Sequence, residues 1–119
     1  MVLLNNKHLS EPWFSLVAIG AKKVEGKLLS ETWSKLREGD IIEWYNEDLG
    51  WKRTVRTKIV SIECYVDFQN YLRMEGLANT LPGIETIQDG IRVYDKYFSL
   101  EDQSKYGVAA LHLERVSKY

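Results

Sequence analysis

Hydrophobic and polar positions alternate and recur in a way that divides the chain into a short series of elements. Ser10-Glu11-Pro12-Trp13 reads as a helix start, with Ser10 placed to cap and proline tolerated in the first turn, where its missing N–H costs little. Trp13, Leu16 and Val17 follow at helical spacing and Gly20 is a natural stop. Val24 to Leu29 is expected as a short strand, and Ser30 to Leu36, containing Trp33, as a turn or short helix. A Gly39-Asp40 turn leads into the strand Ile41–Tyr45, and Asn46–Gly50 is a hairpin loop. Trp51 to Tyr65 is rich in Val, Thr and Ile and forms a long second arm.

The period then changes. Phe68, Tyr71, Leu72 and Glu75 fall on one helical face, with Asp67 as cap and Gly76 as end. Ala78 to Gly83 is expected as a loop, and Ile84, Ile87, Ile91, Tyr94 and Phe98 space like a buried helical stripe. Val108 to Leu113 is apolar on both faces, as a central strand requires. The order is helix, three strands, two helices and a strand. Hairpin-linked strands with inserted helices predict an antiparallel α+β sheet or a small barrel, not a parallel doubly wound sheet.

Composition narrows the class. With 119 residues, 45% of them apolar and 28% charged, the sequence is expected to be one domain, residues 1–119, with a single core and little disorder. No run approaches the roughly 18 to 20 apolar residues of a membrane helix. The start, Met1 to Lys7, turns polar too soon for a secretory signal. Cys64 is the one cysteine, so no internal disulfide can form, and an intracellular, cytoplasmic setting is expected. His8, His112 and Cys64 are unpaired at ligand spacing, so neither a metal nor another cofactor is implied. Sixteen basic against 17 acidic residues leave a net charge of -1, so any nucleic-acid site must be a local patch.

Gly20-Ala21-Lys22-Lys23-Val24-Glu25-Gly26-Lys27 carries the densest candidate chemistry. On a strand, Lys23, Glu25 and Lys27 share one face, and Lys22 lies at the turn. Cations beside a carboxylate can hold a phosphate or carbonyl while the acid handles a proton. The same residues also make ordinary surface ion pairs, each of little consequence. Lys52-Arg53-Thr54-Val55-Arg56-Thr57-Lys58 is the most basic run, with Trp51 adjoining. A basic strip beside an aromatic can track a phosphate backbone and stack a base. The alternative is a solvent face balanced by Glu43, Glu47 and Asp48 across the hairpin. Tyr94 and Phe98 are spaced as core residues, which leaves Tyr97 to border a pocket; Trp13 and Trp33 flank the lysine-rich loop and fit either a core or the wall of a base-sized site. His112, mid-strand among apolar neighbours, reads as a structural histidine.

Gly20-x-Lys22-x-x-Glu25-x-Lys27, with a helix before it and the Gly39-Asp40 turn and strand pair after it, resembles the G-x-K-x-x-E-x-R signature of ASCH domains. These are small relatives of the PUA family of RNA-binding barrels. The likeness spans about Pro12 to Val116. It implies a PUA-like β-barrel of mainly antiparallel strands with flanking helices, and RNA or a modified nucleoside as partner. Lys27 departs from the signature's arginine, keeping the charge but losing the planar fork. Bacterial 4-acetylcytidine amidohydrolases are similar in the Gly-x-Lys portion and use that lysine, a threonine and a glutamate from a later helix. On that likeness Lys22 matches the lysine and Glu75 the glutamate, while Glu25 stands at the threonine. Other members act as ribonucleases, and larger coactivators carry the domain as an interaction module. The resemblance therefore implies a cleft in which Lys22, Lys23 and Lys27 hold phosphate or a base carbonyl. Glu25 orients Lys22, and Glu75 supplies a second carboxylate. Its two main outcomes are RNA binding without turnover, or hydrolysis of RNA or of an acylated cytidine by Lys22, Glu25 and Glu75.

Overall fold

The computed structural model describes residues 2–116. Five strands, β1 (Leu3–His8), β2 (Val24–Leu28), β3 (Ile41–Asn46), β4 (Arg53–Tyr65) and β5 (Val108–Arg115), form one sheet in the order β1-β3-β4-β5-β2. Six helices accompany them: α1 (Trp13–Ala18), α2 (Glu31–Ser34), α3 (Phe68–Glu75), α4 (Leu77–Thr80), α5 (Ile87–Asp95) and α6 (Leu100–Tyr106). The sheet curls into a half-barrel with helices on its flanks, the α+β architecture that the sequence implies. Among the described residues no helix is long and apolar enough to cross a membrane.

The β3–β4 hairpin follows directly from alternation. Ile42, Trp44 and Asn46 point inward and are fully buried, and Trp44 donates from Nε1 to Thr57 Oγ1 across the pair at 2.9 Å. β4 outruns β3, and from Thr57 to Tyr65 it pairs antiparallel with β5, with a register shift between Ile59 and Ser61. β5 sits between β4 and β2, and Val108 to Leu111 are wholly buried, as two apolar faces require.

Asp67 caps α3 by accepting from Asn70 N at 2.8 Å, and Gly76 ends it. Phe68 of α3 stacks on Tyr94 of α5 at 4.2 Å, with Phe98 5.7 Å away on its other neighbour contact. This aromatic layer closes the half-barrel over β2 and β5.

Four local features differ from the sequence reading. Leu3–His8 is a strand, parallel to β3, so the sheet is mixed; the segment lacks alternation, and its pairing comes from a distant partner. Asp40 fixes that start by accepting from Val2 N and Arg37 N, both at 2.9 Å. Ser10 gives α1 no side-chain cap. Glu11 serves instead, accepting from Ser15 N at 2.9 Å, because its longer side chain reaches the first turn. Leu77–Thr80 is a helical turn rather than loop, and α6 is a third helix in the late region, capped by Ser99.

Candidate functional site

Local backbone chemistry turns Lys22 into the protein. Gly20 stands just beyond α1 with φ +81°, a value L side chains rarely adopt. The reversal lets both Ala21 N and Lys22 N donate to Leu16 O, at 2.9 and 3.0 Å. Lys22 is consequently only 2% exposed. Its Nζ donates to Val24 O at 2.8 Å and to Thr80 O at the end of α4, and lies 3.5 Å from Glu25 Oε2. An ammonium has three protons, and here three acceptors surround it. Burial lowers the Lys22 pKa; Glu25 opposes that shift, and Lys27 adds to it.

On β2, Glu25 and Lys27 point to one face and Gly26 to the other. Gly26 leaves room for Tyr71, because an added Cβ would stand 2.8 Å from its Cζ and force the ring to shift. Glu25 is 5% exposed, and its Oε2 accepts no hydrogen bond although the Lys22 ammonium is at ion-pair distance. Lys27 Nζ lies 5.4 Å from the Trp33 ring, 5.5 Å from Trp44 and 5.9 Å from Phe98.

These side chains face a cavity of about 240 Å³. Lys22, Glu25 and Lys27 supply its charge. Trp13 and Leu81 form part of the wall, and Val93, Tyr94, Tyr97 and Phe98 from α5 and the turn after it form another part. His8, Leu9 and Ser10 complete it from the end of β1. The Tyr94 hydroxyl lies 3.2 Å from that of Tyr71, and burial holds both phenols well above their ordinary pKa. Among the described residues the arrangement offers aromatic faces, a buried carboxylate and one lysine, Lys27, whose cavity-facing charge meets no hydrogen-bond acceptor.

Of the residues singled out by sequence, Trp13, Lys22, Glu25, Lys27 and Tyr97 thus meet at one cavity. Trp33 is adjacent, beneath Lys27 and stacked on Trp44 at 5.9 Å. Lys23 is exposed, and only its backbone takes part, donating to Asn79 O and accepting from Leu113 N. Glu75 does not line the cavity. Its carboxylate lies 2.6 Å from the Tyr65 hydroxyl and 2.9 Å from His112 Nε2, on the α3 side of the sheet.

The basic run is likewise elsewhere. Arg56 pairs with Glu43 at 2.8 Å across the hairpin. Arg53 binds Glu11 and Asn46 at 3.0 and 2.7 Å and covers the Phe14 ring. Lys52 reaches Asn6 and the Tyr45 ring, and Lys58 is exposed. Sequence reasoning passed over His8, Leu9 and Leu81 as lining residues. Tyr94 and Phe98 carried a signal, but their spacing marked them only as core, and they are core and wall at once.

Comparison with known proteins matches residues 8–117 to the ASCH domain model. The crystal structure of the hypothetical protein PH0355 is similar over 98% of this chain and 100% of its own, at 33% identity and a TM-score of 0.84. The solution structure of protein PF0455 from Pyrococcus furiosus covers 99% of this chain and 100% of its own, at 31% identity and a TM-score of 0.77. No curated protein matches the chain.

Proposed function

Because the chain belongs to the ASCH domain family, we propose that it is an RNA- or nucleotide-binding domain whose ligand occupies the cavity beside the Gly20–Lys27 loop, acting in RNA metabolism or its regulation. The observation that carries this reading is the cavity itself, where aromatic side chains and the buried Lys22–Glu25 pair converge. Its 240 Å³ falls below the roughly 300 to 1,000 Å³ of sites for drug-sized ligands. One base or nucleotide fits that scale; a length of strand would have to continue over the surface. Trp13, Tyr94 and Phe98 offer stacking faces, and Lys27 offers a cation for phosphate or a carbonyl.

Binding is favoured over hydrolysis by two facts. A nucleophilic lysine needs a free electron pair, whereas Lys22 is surrounded by two carbonyls and a carboxylate. The second carboxylate expected from Glu75 is engaged by Tyr65 and His112 outside the cavity.

The test is incubation of the pure protein with end-labelled single-stranded RNA, resolved on paired native and denaturing gels. A shift without shorter fragments is expected, weakened by added salt as phosphate contacts release counterions, and weakened again in Lys27→Met. Fragments that disappear in a folded Lys22 variant would replace this reading with a ribonuclease. The absence of any shift, together with no binding of any mononucleotide, would refute it.

A further inference from the structure

We propose that the cavity selects guanine, with Glu25 accepting from N1–H and the exocyclic amine and Lys27 donating to O6. The inference rests on the nucleotide-binding reading above and adds which base is taken.

It follows from the polar inventory of the cavity. Glu25 lines it, is 95% buried, and carries an Oε2 with no hydrogen-bond donor. A carboxylate beside an ammonium at 3.5 Å is an acceptor only. Lys22 is held by Val24 O and Thr80 O, to which its Nζ donates, and stands 3.5 Å from Glu25 Oε2 as an ion pair without a hydrogen bond, so its charge is spent on the protein. Lys27 differs: around its Nζ stand the faces of Trp33, Trp44 and Phe98, which attract the charge without accepting a directed hydrogen bond. The site therefore presents acceptors at Glu25 and a donor at Lys27. The two are alternate residues on one strand, about 6.5 to 7 Å apart along the backbone, the scale of a single base edge.

The Watson–Crick edges of the four bases differ in how they meet that pattern. Guanine offers two adjacent donors, N1–H and N2–H₂, followed by the acceptor O6, so both carboxylate oxygens and the lysine are satisfied together. Cytosine and adenine each offer one amino donor next to a ring-nitrogen acceptor, which would face the carboxylate with a lone pair. Uracil offers one imino donor between two carbonyls, with the same conflict. A buried acceptor left unmatched is what makes such a site discriminate.

The experiment is titration calorimetry of the full chain with GMP, IMP, 1-methyl-GMP, AMP, CMP and UMP at one ionic strength. GMP is expected to bind at least about tenfold more tightly than AMP, CMP or UMP. IMP, which lacks the exocyclic amine, should be weaker by about fivefold or more, and 1-methyl-GMP weaker still. Glu25→Gln should remove the preference for GMP. If that variant does not fold, the IMP and 1-methyl-GMP comparisons decide on the unaltered chain. AMP, CMP or UMP binding as well as GMP, or IMP equalling GMP, overturns guanine selection and leaves the nucleotide reading standing. No binding by any of the six, with no RNA shift, overturns both.

Discussion

Replacing Lys22 by methionine keeps the unbranched apolar stem of the side chain and removes the ammonium. Three buried groups then lose their partner: Val24 O, Thr80 O and the Glu25 carboxylate. Removing one member of a buried ion pair costs about 3–5 kcal/mol, because a lone charge stays inside. We expect that loss here, since Lys22 is 2% and Glu25 5% exposed. A domain of this size is stable by only about 5–15 kcal/mol in total. Unfolding entropies near 2.1 cal/mol/K per residue make each kcal/mol worth roughly 4 °C, so the midpoint should fall by about 12–20 °C. Urea denaturation followed by tryptophan fluorescence reads the change directly. The decisive comparison is Lys22→Met with Glu25→Gln in the same chain. Removing the stranded carboxylate should return at least about 1 kcal/mol relative to Lys22→Met alone. A Lys22→Met chain within about 1 kcal/mol of the parent would refute the reasoning. So would a double variant whose loss is the plain sum of the two single losses.

Three further expectations concern other parts of the molecule. Gly26→Ala drives a methyl to within 2.8 Å of a Tyr71 ring already held against Phe68 and Tyr94, and should cost about 1–3 kcal/mol in urea unfolding. Asp40 is held below its ordinary 3.8 by hydrogen bonds from the Arg37 and Val2 backbone. Its contribution is therefore full above about pH 3.8 and is lost as pH falls through the lower folded value. Asp40→Asn should cost roughly 1–2 kcal/mol at neutral pH and flatten the acid limb of a stability-against-pH curve. Tyr65 is pushed up to about 12 by burial and by Glu75, and burial holds Tyr71 and Tyr94 well above 10. Below pH 10 the stabilisation tied to Tyr65 is complete, and it drains away as pH rises towards 12. Phenolate absorbance of the folded protein near pH 11 should therefore fall short of the full seven tyrosines and reach it only on unfolding.

Where the pattern is local, the sequence was a good guide to the structure. The β3–β4 alternation, the Asp67 cap, the Gly76 stop and the doubly apolar β5 each depend on neighbours within a few residues. The juxtaposition of Lys22 and Glu25 was legible for the same reason, three positions apart across a glycine-led reversal. Long-range partners decided the rest. Leu3–His8 becomes a strand only because β3 and Asp40 await it. Glu75 and His112 each looked isolated, since 37 residues separate two groups that meet at 2.9 Å. The charge of Lys27 is legible in the sequence, whereas its surroundings of Trp33, Trp44 and Phe98 come from a helix, a strand and the turn after α5, spread along the chain.

The half-barrel leaves β1 and β2 as its two edge strands, and Trp33 of α2 approaches a lysine from each. Lys7 from β1 and Lys27 from β2 both rest over the ring of Trp33, at 5.7 and 5.4 Å. An unpaired strand edge is a template on which another chain can add, the usual route from a sheet to aggregates. Here Trp33 draws a lysine from each edge strand, and each lysine places a charge where an incoming strand would have to dock. Both edges of the half-barrel are thereby guarded against the addition of a further strand. Among the described residues Trp33 is thus the one ring on which a lysine from each edge strand converges.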